Sequence, residues 1–413
     1  MKVWVISEVF YPEDTSTGYF LTRIAEELAR AYNVGVLTAQ PTYAARGVRA
    51  PRRERWHGMD IVRGWSTRFD KDRLALRVLN LVTLTASLFT SALLRVRRGD
   101  VVLFVTNPPT LPFALAAACR MRGATPLLLV HDVYPHAIVA AGMARRGGLL
   151  WRLGLMFNRR LYARVAKVIA IGRDMARLAS EMTGGRADVA VIPNWADIGE
   201  IVPKPRAENP ILRERGLAGK FVVQYAGNMG RTHAVELLAE AARRLRHRQD
   251  IHFLFAGFGA KRALLERELH DAPNATLLPR QEREALNDLL NACDVSVIAF
   301  EPGMSGVSVP SRMYNVLASG RPLLAVADAD SEPAMVIAEE GVGWRVEPGD
   351  VSGLVAAIEL AAGDAELVRA TGARARKVAE EKYTLAKIGE QYRALVGARA
   401  SRPLTPRRAR PSA

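Results

Sequence analysis

The sequence predicts an α/β chain with two Rossmann-like, doubly wound parallel-sheet domains facing one another across a cleft. Three observations predict it. Short, nearly continuous apolar runs alternate with longer helical patterns, as in a parallel sheet covered on both faces. At 413 residues the chain is too long for one ordinary core. The alternation breaks once, over 195–216, where Pro203, Pro205 and Pro210 stand among charges, and then begins again.

The apolar runs of the first half predict strands at Val3–Ile6, Val34–Thr38, Ile61–Arg63, Val101–Val105, Leu127–Val130, Val168–Ile171 and Val189–Ile192. Helical patterns lie between them at Tyr19–Ala31, Leu74–Val96, Leu111–Arg122, Leu150–Ala163 and Asp174–Met182. After the break, strands are expected at Phe221–Tyr225, Phe253–Phe255, Thr276–Leu278, Val295–Ile298, Leu323–Val326 and Trp344–Val346. The helices of this half are Ala234–Arg246, Lys261–His270, Glu282–Ala292, Ser311–Ala318, Pro333–Glu339 and Val351–Ala362, followed by Ala365–Lys382 and Leu385–Val396. The domains are therefore placed at 1–200 and 214–382. A helix over 383–397 is expected to return to the first domain. The Arg- and Pro-rich tail 398–413 has no apolar face and is expected to be disordered.

Composition narrows the function. The formal net charge is +16. It is concentrated in residues 1–200, with about 28 basic and about 16 acidic side chains. That imbalance suits a polyanionic partner such as a phosphorylated substrate or an acidic lipid surface. No zinc-finger, aromatic-strand or recognition-helix pattern supports nucleic acid. Cys119 and Cys293 lack metal-ligand spacing, consistent with a reduced cytoplasmic protein. Met1-Lys2-Val3 enters a strand pattern directly, without the form of a secretory signal. The segment Val78–Leu94 is uncharged and flanked by Arg73, Arg77, Arg95, Arg97 and Arg98. It reads as a helix packed on the sheet whose exposed side can rest on anionic lipid.

The chemistry gathers at strand ends. Pro302-Gly303-Met304-Ser305-Gly306 leads into Val309-Pro310-Ser311-Arg312, a loop and helix start suited to an anion, with Arg312 as a fixed charge. The strand at Phe221 runs into Gly227-Asn228-Met229-Gly230-Arg231-Thr232-His233, and the next into Gly257-Phe258-Gly259. Gly18 opens the first helix, with Thr17 as its expected cap. No G-x-G-x-x-G follows the first strand, which disfavours a nicotinamide dinucleotide. His131-Asp132-Val133-Tyr134-Pro135-His136 ends a strand and faces the cleft. His131 can accept a proton or bind a sugar hydroxyl, and no serine or cysteine nucleophile accompanies it. Asp328-Ala329-Asp330 has the form of a metal clamp, but Ser331 and Pro333 after it favour a helix start.

Taken in order, these segments, with Ile192-Pro193-Asn194-Trp195 and Gly320-Arg321-Pro322, make residues 1–397 resemble retaining glycosyltransferases of the GT-B fold, family 4. The resemblance is to the WbuB-like branch of bacterial surface-polysaccharide enzymes. It implies a nucleotide-diphosphate sugar, UDP-linked, held by the second domain, with no cofactor and no metal. It also implies a lipid-linked or oligosaccharide acceptor held by the first domain, and a cytoplasmic protein peripheral to the inner face of the membrane. The transferred sugar would be a hexose or an N-acetylated amino sugar.

The residues implied for catalysis are His131, Asp132, Arg231 and Arg312. Those implied for the donor are Gly18, Gly227, Asn228, Gly230, His233, Gly257, Gly259, Arg280, Gly306, Ser311 and Asn315. Tyr134 and His136 would hold the acceptor. The chain departs from the family pattern in four places. Asn228 stands at the diphosphate-gripping arginine and His233 near its lysine partner. Asn315 stands at the second glutamate of an E-x7-E motif and Val307 near the first. Arg231, with Arg312, is the expected substitute for the missing cations. Two other readings fit the same segments less well. A nucleotide-sugar 2-epimerase of the same architecture would need more carboxylates around the cleft. In a non-enzymatic protein that binds anionic lipid or nucleic acid, the charge would be a footprint without catalysis.

Overall fold

In this computed structural model, residues 1–13, 15–41, 49–67, 69, 73–279, 281 and 283–400 are described. The first domain is an eight-stranded sheet. Its strands are β1 (Val3–Ile6), β2 (Val34–Thr38), β3 (Arg53–Trp56), β4 (Met59–Arg63), β5 (Val101–Val105), β6 (Thr125–Val130), β7 (Lys167–Ala170) and β8 (Val189–Val191). Its helices are α1 (Ser16–Ala29), α2 (Leu74–Arg95), α3 (Leu111–Arg122), α4 (His136–Ala140), α5 (Leu149–Tyr162) and α6 (Arg173–Thr183). The order across the sheet is β3-β4-β2-β1-β5-β6-β7-β8, so it reverses direction at β1 and β5. Every pairing is parallel except β3 with β4.

The polar edge strand β3 was not expected. Its sequence Arg-Glu-Arg-Trp has no apolar alternation, and the hairpin depends on positive φ at His57 and Gly58 (45° and 79°). Such a turn matches the twist of paired strands.

Between the domains, the expected linker carries structure of its own. A short helix α7 (Pro210–Glu214) sends Leu212 into a small core with Leu217, Val222 and Leu254 of the second domain. Asn209 caps it, accepting from the Leu212 amide at 3.1 Å. Prolines mark this stretch as a break, yet Pro210 is only the first residue of a helix, where its missing N–H costs nothing.

The second sheet runs β11-β10-β9-β12-β13-β14, all parallel, reversing at β9 and β12. Its strands are β9 (Phe221–Asn228), β10 (Ile251–Phe258), β11 (Ala275–Leu278), β12 (Val295–Ala299), β13 (Leu323–Val326) and β14 (Gly343–Val346). Its helices are α8 (Val235–Arg244), α9 (Arg262–Glu268), α10 (Leu286–Asn291), α11 (Arg312–Ala318), α12 (Glu332–Glu340), α13 (Val351–Gly363) and α14 (Ala365–Lys382). Central strands are buried along their full length, as a doubly covered sheet requires.

The last helix, α15 (Leu385–Ala400), crosses back and lies on α1 of the first domain. There Arg393 pairs with Glu27, and the Tyr32 hydroxyl donates to the Arg393 carbonyl at 3.0 Å. This helix also covers residues 398–400, which the sequence assigned to a disordered tail. The rest of that tail lies outside the described residues.

Helix α2 sends Leu84, Leu88 and Ala92 into the first core and leaves Val78, Leu79, Val82 and Leu94 exposed. Among the described residues it is the helix long and apolar enough to cross a membrane, by length and composition.

Candidate active site

Both sheets reverse order beside the interdomain gap, the place where open α/β sheets bind ligands. A cavity of about 340 Å³ lies there. From the first domain it is lined by Thr15, Ser16, Tyr19 and Phe20 at the start of α1. From the second it is lined by the ends of β9 and β10, by Arg283 and Leu286, and by Ser311, Arg312 and Asn315 at the start of α11.

Arg312 is the fixed charge of this cavity. Its Nη1 donates to the Ala226 carbonyl and its Nη2 to the Tyr225 hydroxyl, each at 3.2 Å. The guanidinium lies 4.4 Å from the centre of the Tyr225 ring. Burial pushes the Tyr225 hydroxyl up, partly offset by Arg312. The Tyr225 hydroxyl in turn donates to the Asn228 carbonyl at 2.6 Å, so the arginine is tied to the end of β9.

The glycines admit this arrangement. A Cβ on Gly227 would stand 2.5 Å from Arg312 Nη1, and one on Gly257 would stand 1.9 Å from the Gly227 carbonyl oxygen. Gly259 meets Met229 and the Asn228 side chain in the same way, and Gly230 sits against Asn228. Their role is close backbone packing that brings Arg312 to the cavity wall.

Arg231, expected as the second diphosphate cation, stands exposed on the turn after β9 and does not line the cavity. Lys261 does not line the cavity either, but it acts with Arg312 on the buried His233 ring, and sequence reasoning missed it. Its Nζ donates to Glu301 at 2.6 Å and to Glu236 and the His233 carbonyl at 2.9 Å. Burial lowers its pKa, but hydrogen bonds to Glu301 and Glu236 outweigh that and raise it. The signal was present: Lys261 follows the Gly257–Ala260 turn directly, but it was counted as an ordinary helix residue. His233 lies beside both cations. Burial first, then Arg312 and Lys261, push it down to about 3, so it is neutral at pH 7.

Across the gap, the Ser16 and Ser311 hydroxyls meet at 3.1 Å. Thr15, not Thr17, caps α1, accepting from the Gly18 amide at 3.1 Å. Thr17 is thereby left to meet His131 Nδ1 at 3.3 Å. Gly18 does not line the cavity. A Cβ there would lie 2.6 Å from the Glu13 carbonyl oxygen, so the glycine serves the helix entry.

His131 does not line the cavity and connects to it through Thr17. Its Nε2 is buried without a partner, and burial pushes the ring down to about 4. Asp132 pairs along the backbone with Ser308 of the second domain, and burial raises its carboxyl against a hydrogen bond to Ser308. Tyr134 and His136 lie farther out. Tyr134 lines a separate apolar groove, and His136 stands edge-on to Trp151 at 4.6 Å.

Gly306 does not line this cavity. Its amide donates to Asp174 Oδ2 at 2.9 Å, and its Cα packs on α6, so it joins the two domains. The expected role of Arg280 falls outside the described residues. Helix α11 is seven residues long, and the Arg312 side chain is the charge it brings to the cavity. Asp328 accepts from the Gly303 and Ser305 amides at 3.2 Å and 3.0 Å, and Asp330 pairs with Arg177 at 2.5 Å. Both aspartates are thus engaged in loop and domain contacts. Among the described residues no three His, Cys, Asp or Glu side chains gather as a metal site.

Two tandem parallel sheets with a cationic cavity between their reversal points define a two-domain architecture of the GT-B type. The sequence matches two family profiles, "Glycosyl transferase 4-like domain" over residues 17–195 and "Glycosyl transferases group 1" over 220–364. It is 32% identical over 366 residues to the "Probable glycosyltransferase WbjE" of Pseudomonas aeruginosa, covering 87% of this chain and 88% of that one. The "Putative colanic acid biosynthesis glycosyl transferase WcaI" of Escherichia coli K12 is 29% identical, covering 87% and 92%. The fold is similar to that of Anabaena HepE in complex with UDP and glucose. The TM-score is 0.71 at 15% identity, covering 96% of this chain and 100% of that one. The chain belongs to the family 4, GT-B glycosyltransferases.

Proposed function

We propose that the protein moves a sugar from a UDP-linked donor to a lipid-linked glycan in bacterial surface-polysaccharide synthesis, with retention at the anomeric carbon. The observation that carries this reading is Arg312, tied to the end of β9 and facing a cavity walled by both domains. A leaving diphosphate gains negative charge as the glycosidic bond breaks. A preorganised guanidinium, with Lys261 nearby, stabilises that charge without reorganising. The acceptor hydroxyl would attack from the face the diphosphate leaves, and its proton would pass to the leaving oxygen. Neutral His131, bonded to Thr17 at the start of α1, would steady that wall of the cavity rather than titrate. The name of WcaI, a putative colanic acid biosynthesis glycosyl transferase, supports the polysaccharide setting, and the UDP and glucose of HepE support the donor class.

The transferred sugar is placed among hexoses and N-acetylated amino sugars, and catalysis is taken to need no metal. The basic first domain and the exposed apolar side of α2 support work at the inner face of the membrane. The testing experiment is a thermal-shift screen of nucleotide sugars followed by transfer to lipid-linked acceptors. A UDP-sugar that stabilises the wild type but not Arg312→Ala is expected; stabilisation by no nucleotide sugar would overturn the reading.

A further inference from the structure

Tyr134 lies between the interdomain gap and a second cavity of about 480 Å³. This groove runs between α3, the turn after β6 and α5. Its walls include Phe113, Tyr134, Ile138, Leu150, Trp151 and Phe157, and their surface there is overwhelmingly apolar. It shares no lining residue with the interdomain cavity. Its outer rim stands in water: Leu150 is 73% exposed and Phe157 50%. Helix α5 continues the apolar rim with Leu149, Leu153 and Met156, and carries Arg152, Arg159 and Arg160 beside them.

The inner end of the groove is different. Asp132 is close enough to Tyr134 to help raise its hydroxyl to about 12, after burial, and Asp132 is itself bonded to Ser308 across the gap. Two cations stand near. Arg146 lies 5.9 Å from the Trp151 ring, and Arg77 acts on the Tyr134 hydroxyl. Neither makes an ion pair among the described residues. Apolar walls, an exposed apolar rim and flanking arginines complement a molecule with a hydrocarbon chain and a phosphate.

We propose that this groove receives the hydrocarbon chain of the lipid phosphate that carries the acceptor, with Arg77 and Arg146 facing its phosphate. The inference rests on the transfer reading above and adds how the acceptor is held. An ordinary bilayer lipid would need the rim alone. A chain that enters the groove fixes the carrier beside Asp132, within reach of the gap. Each methylene buried would strengthen binding about fourfold.

The test uses the full chain and hexyl, decyl and tetradecyl phosphate below their micellar concentrations, with inorganic phosphate as the control. Binding is read from the fluorescence of Trp151, isolated by difference against Trp151→Phe. Affinity is expected to rise at least tenfold from hexyl to decyl phosphate. Ala144→Phe, which fills the groove from a surface loop, and Phe157→Ser, at its rim, are expected to abolish that rise while leaving UDP binding unchanged. A wild type without chain-length dependence overturns the proposal, as does dependence that survives in both variants. Loss of phosphatidylglycerol-vesicle binding in Ala144→Phe, with alkyl-phosphate affinity intact, would assign the groove to bilayer chains and overturn it too. Failure of the transfer reading is read separately, as absence of turnover with every nucleotide sugar, because chain-length dependence is measured by binding alone.

Discussion

Arg312 of α11 lies over the ring of Tyr225 on β9, 4.4 Å from its centre, and donates to its hydroxyl at 3.2 Å. One contact fixes the plane of the guanidinium and the other its rotation, so the charge is aimed before any ligand arrives. Arg312→Ala is expected to lower kcat by about 100- to 1,000-fold, the usual cost of removing one preorganised group that stabilises developing charge. Arg312→Lys restores little of this, because an ammonium cannot hold two directions at once. Tyr225→Phe keeps the ring and loses the hydroxyl, so it should cost far less than Arg312→Ala. Steady-state transfer rates, with melting temperatures to confirm folding, check the order.

Gly227 tests the same contact from below. Its φ is 147°, and a Cβ would stand 2.5 Å from Arg312 Nη1. Gly227→Ala therefore strains the backbone by about 1–3 kcal/mol and pushes the guanidinium away. In a double-mutant cycle with Arg312→Ala, the loss of activity should be strongly non-additive, since each change removes the same placement. Additive losses would mean that Gly227 acts on something else.

Lys261 and Arg231 give opposite expectations. Neither lines the cavity, but Lys261 is held by Glu236, Glu301 and the His233 carbonyl, beside the ring that Arg312 also acts on, whereas Arg231 is exposed. Lys261→Met leaves two carboxylates facing one another and should weaken donor binding by tenfold or more. Arg231→Ala should stay within about threefold, as surface substitutions stay within about 0.5 kcal/mol. Titration of both variants with UDP separates them, and the reverse order would restore Arg231 to the diphosphate.

That contrast also marks what the sequence could and could not say. Apolar runs placed the apolar strands of both sheets, because buried parallel strands leave a continuous signal, while the strand order and its reversal points came only with the fold. The edge strand β3 and helix α7 escaped, one for lack of apolar alternation and one for its prolines. Ser311, Arg312, Asn315 and the glycine turns reached the cavity from motif order alone. Gly306 and Gly18 did not, because a glycine needed for packing is spelled like one needed for a ligand. Lys261 was overlooked because its chemistry depends on Glu236 and Glu301, which only folding brings to it.

Buried neutral histidines predict acid sensitivity. Burial pushes His131, His136 and His252 down to about 4 and His233 to about 3, against an ordinary 6.5. In the unfolded chain each takes up a proton as pH falls through 6.5, while in the folded protein each resists it. Stability is thus complete above 6.5 and declines towards pH 4, with a slope approaching about 1.4 kcal/mol per pH unit for each fully excluded proton. Urea melts from pH 7 to 4.5 should show this fall. In His131→Asn the slope should be shallower, and an unchanged slope would show that His131 binds its proton as readily when folded.

Asp174 gives a final prediction, about how the two domains are held. It is 1% exposed and lies at the start of α6 in the first domain. Its Oδ2 accepts from the amides of Gly306 and Glu332 in the second domain, at 2.9 Å and 3.1 Å, and its Oδ1 from Met175 at 2.7 Å. Around it Arg173 bonds Glu332 and Glu339, and Arg177 bonds Asp330. The exposed outer pairs contribute little each, whereas a buried amide without an acceptor costs about 1–3 kcal/mol. Asp174→Ala orphans three such amides at once, two of them on the far side of the gap. It should lower the melting temperature and, because these bonds span the domains, loosen their closure. Small-angle scattering should then report a larger radius of gyration without UDP and a return towards the wild-type value with it. KM for the donor should rise more than kcat falls, since the chemistry at Arg312 is intact once the gap closes. A variant that melts early but keeps both its radius and its KM would limit Asp174 to stabilising the fold.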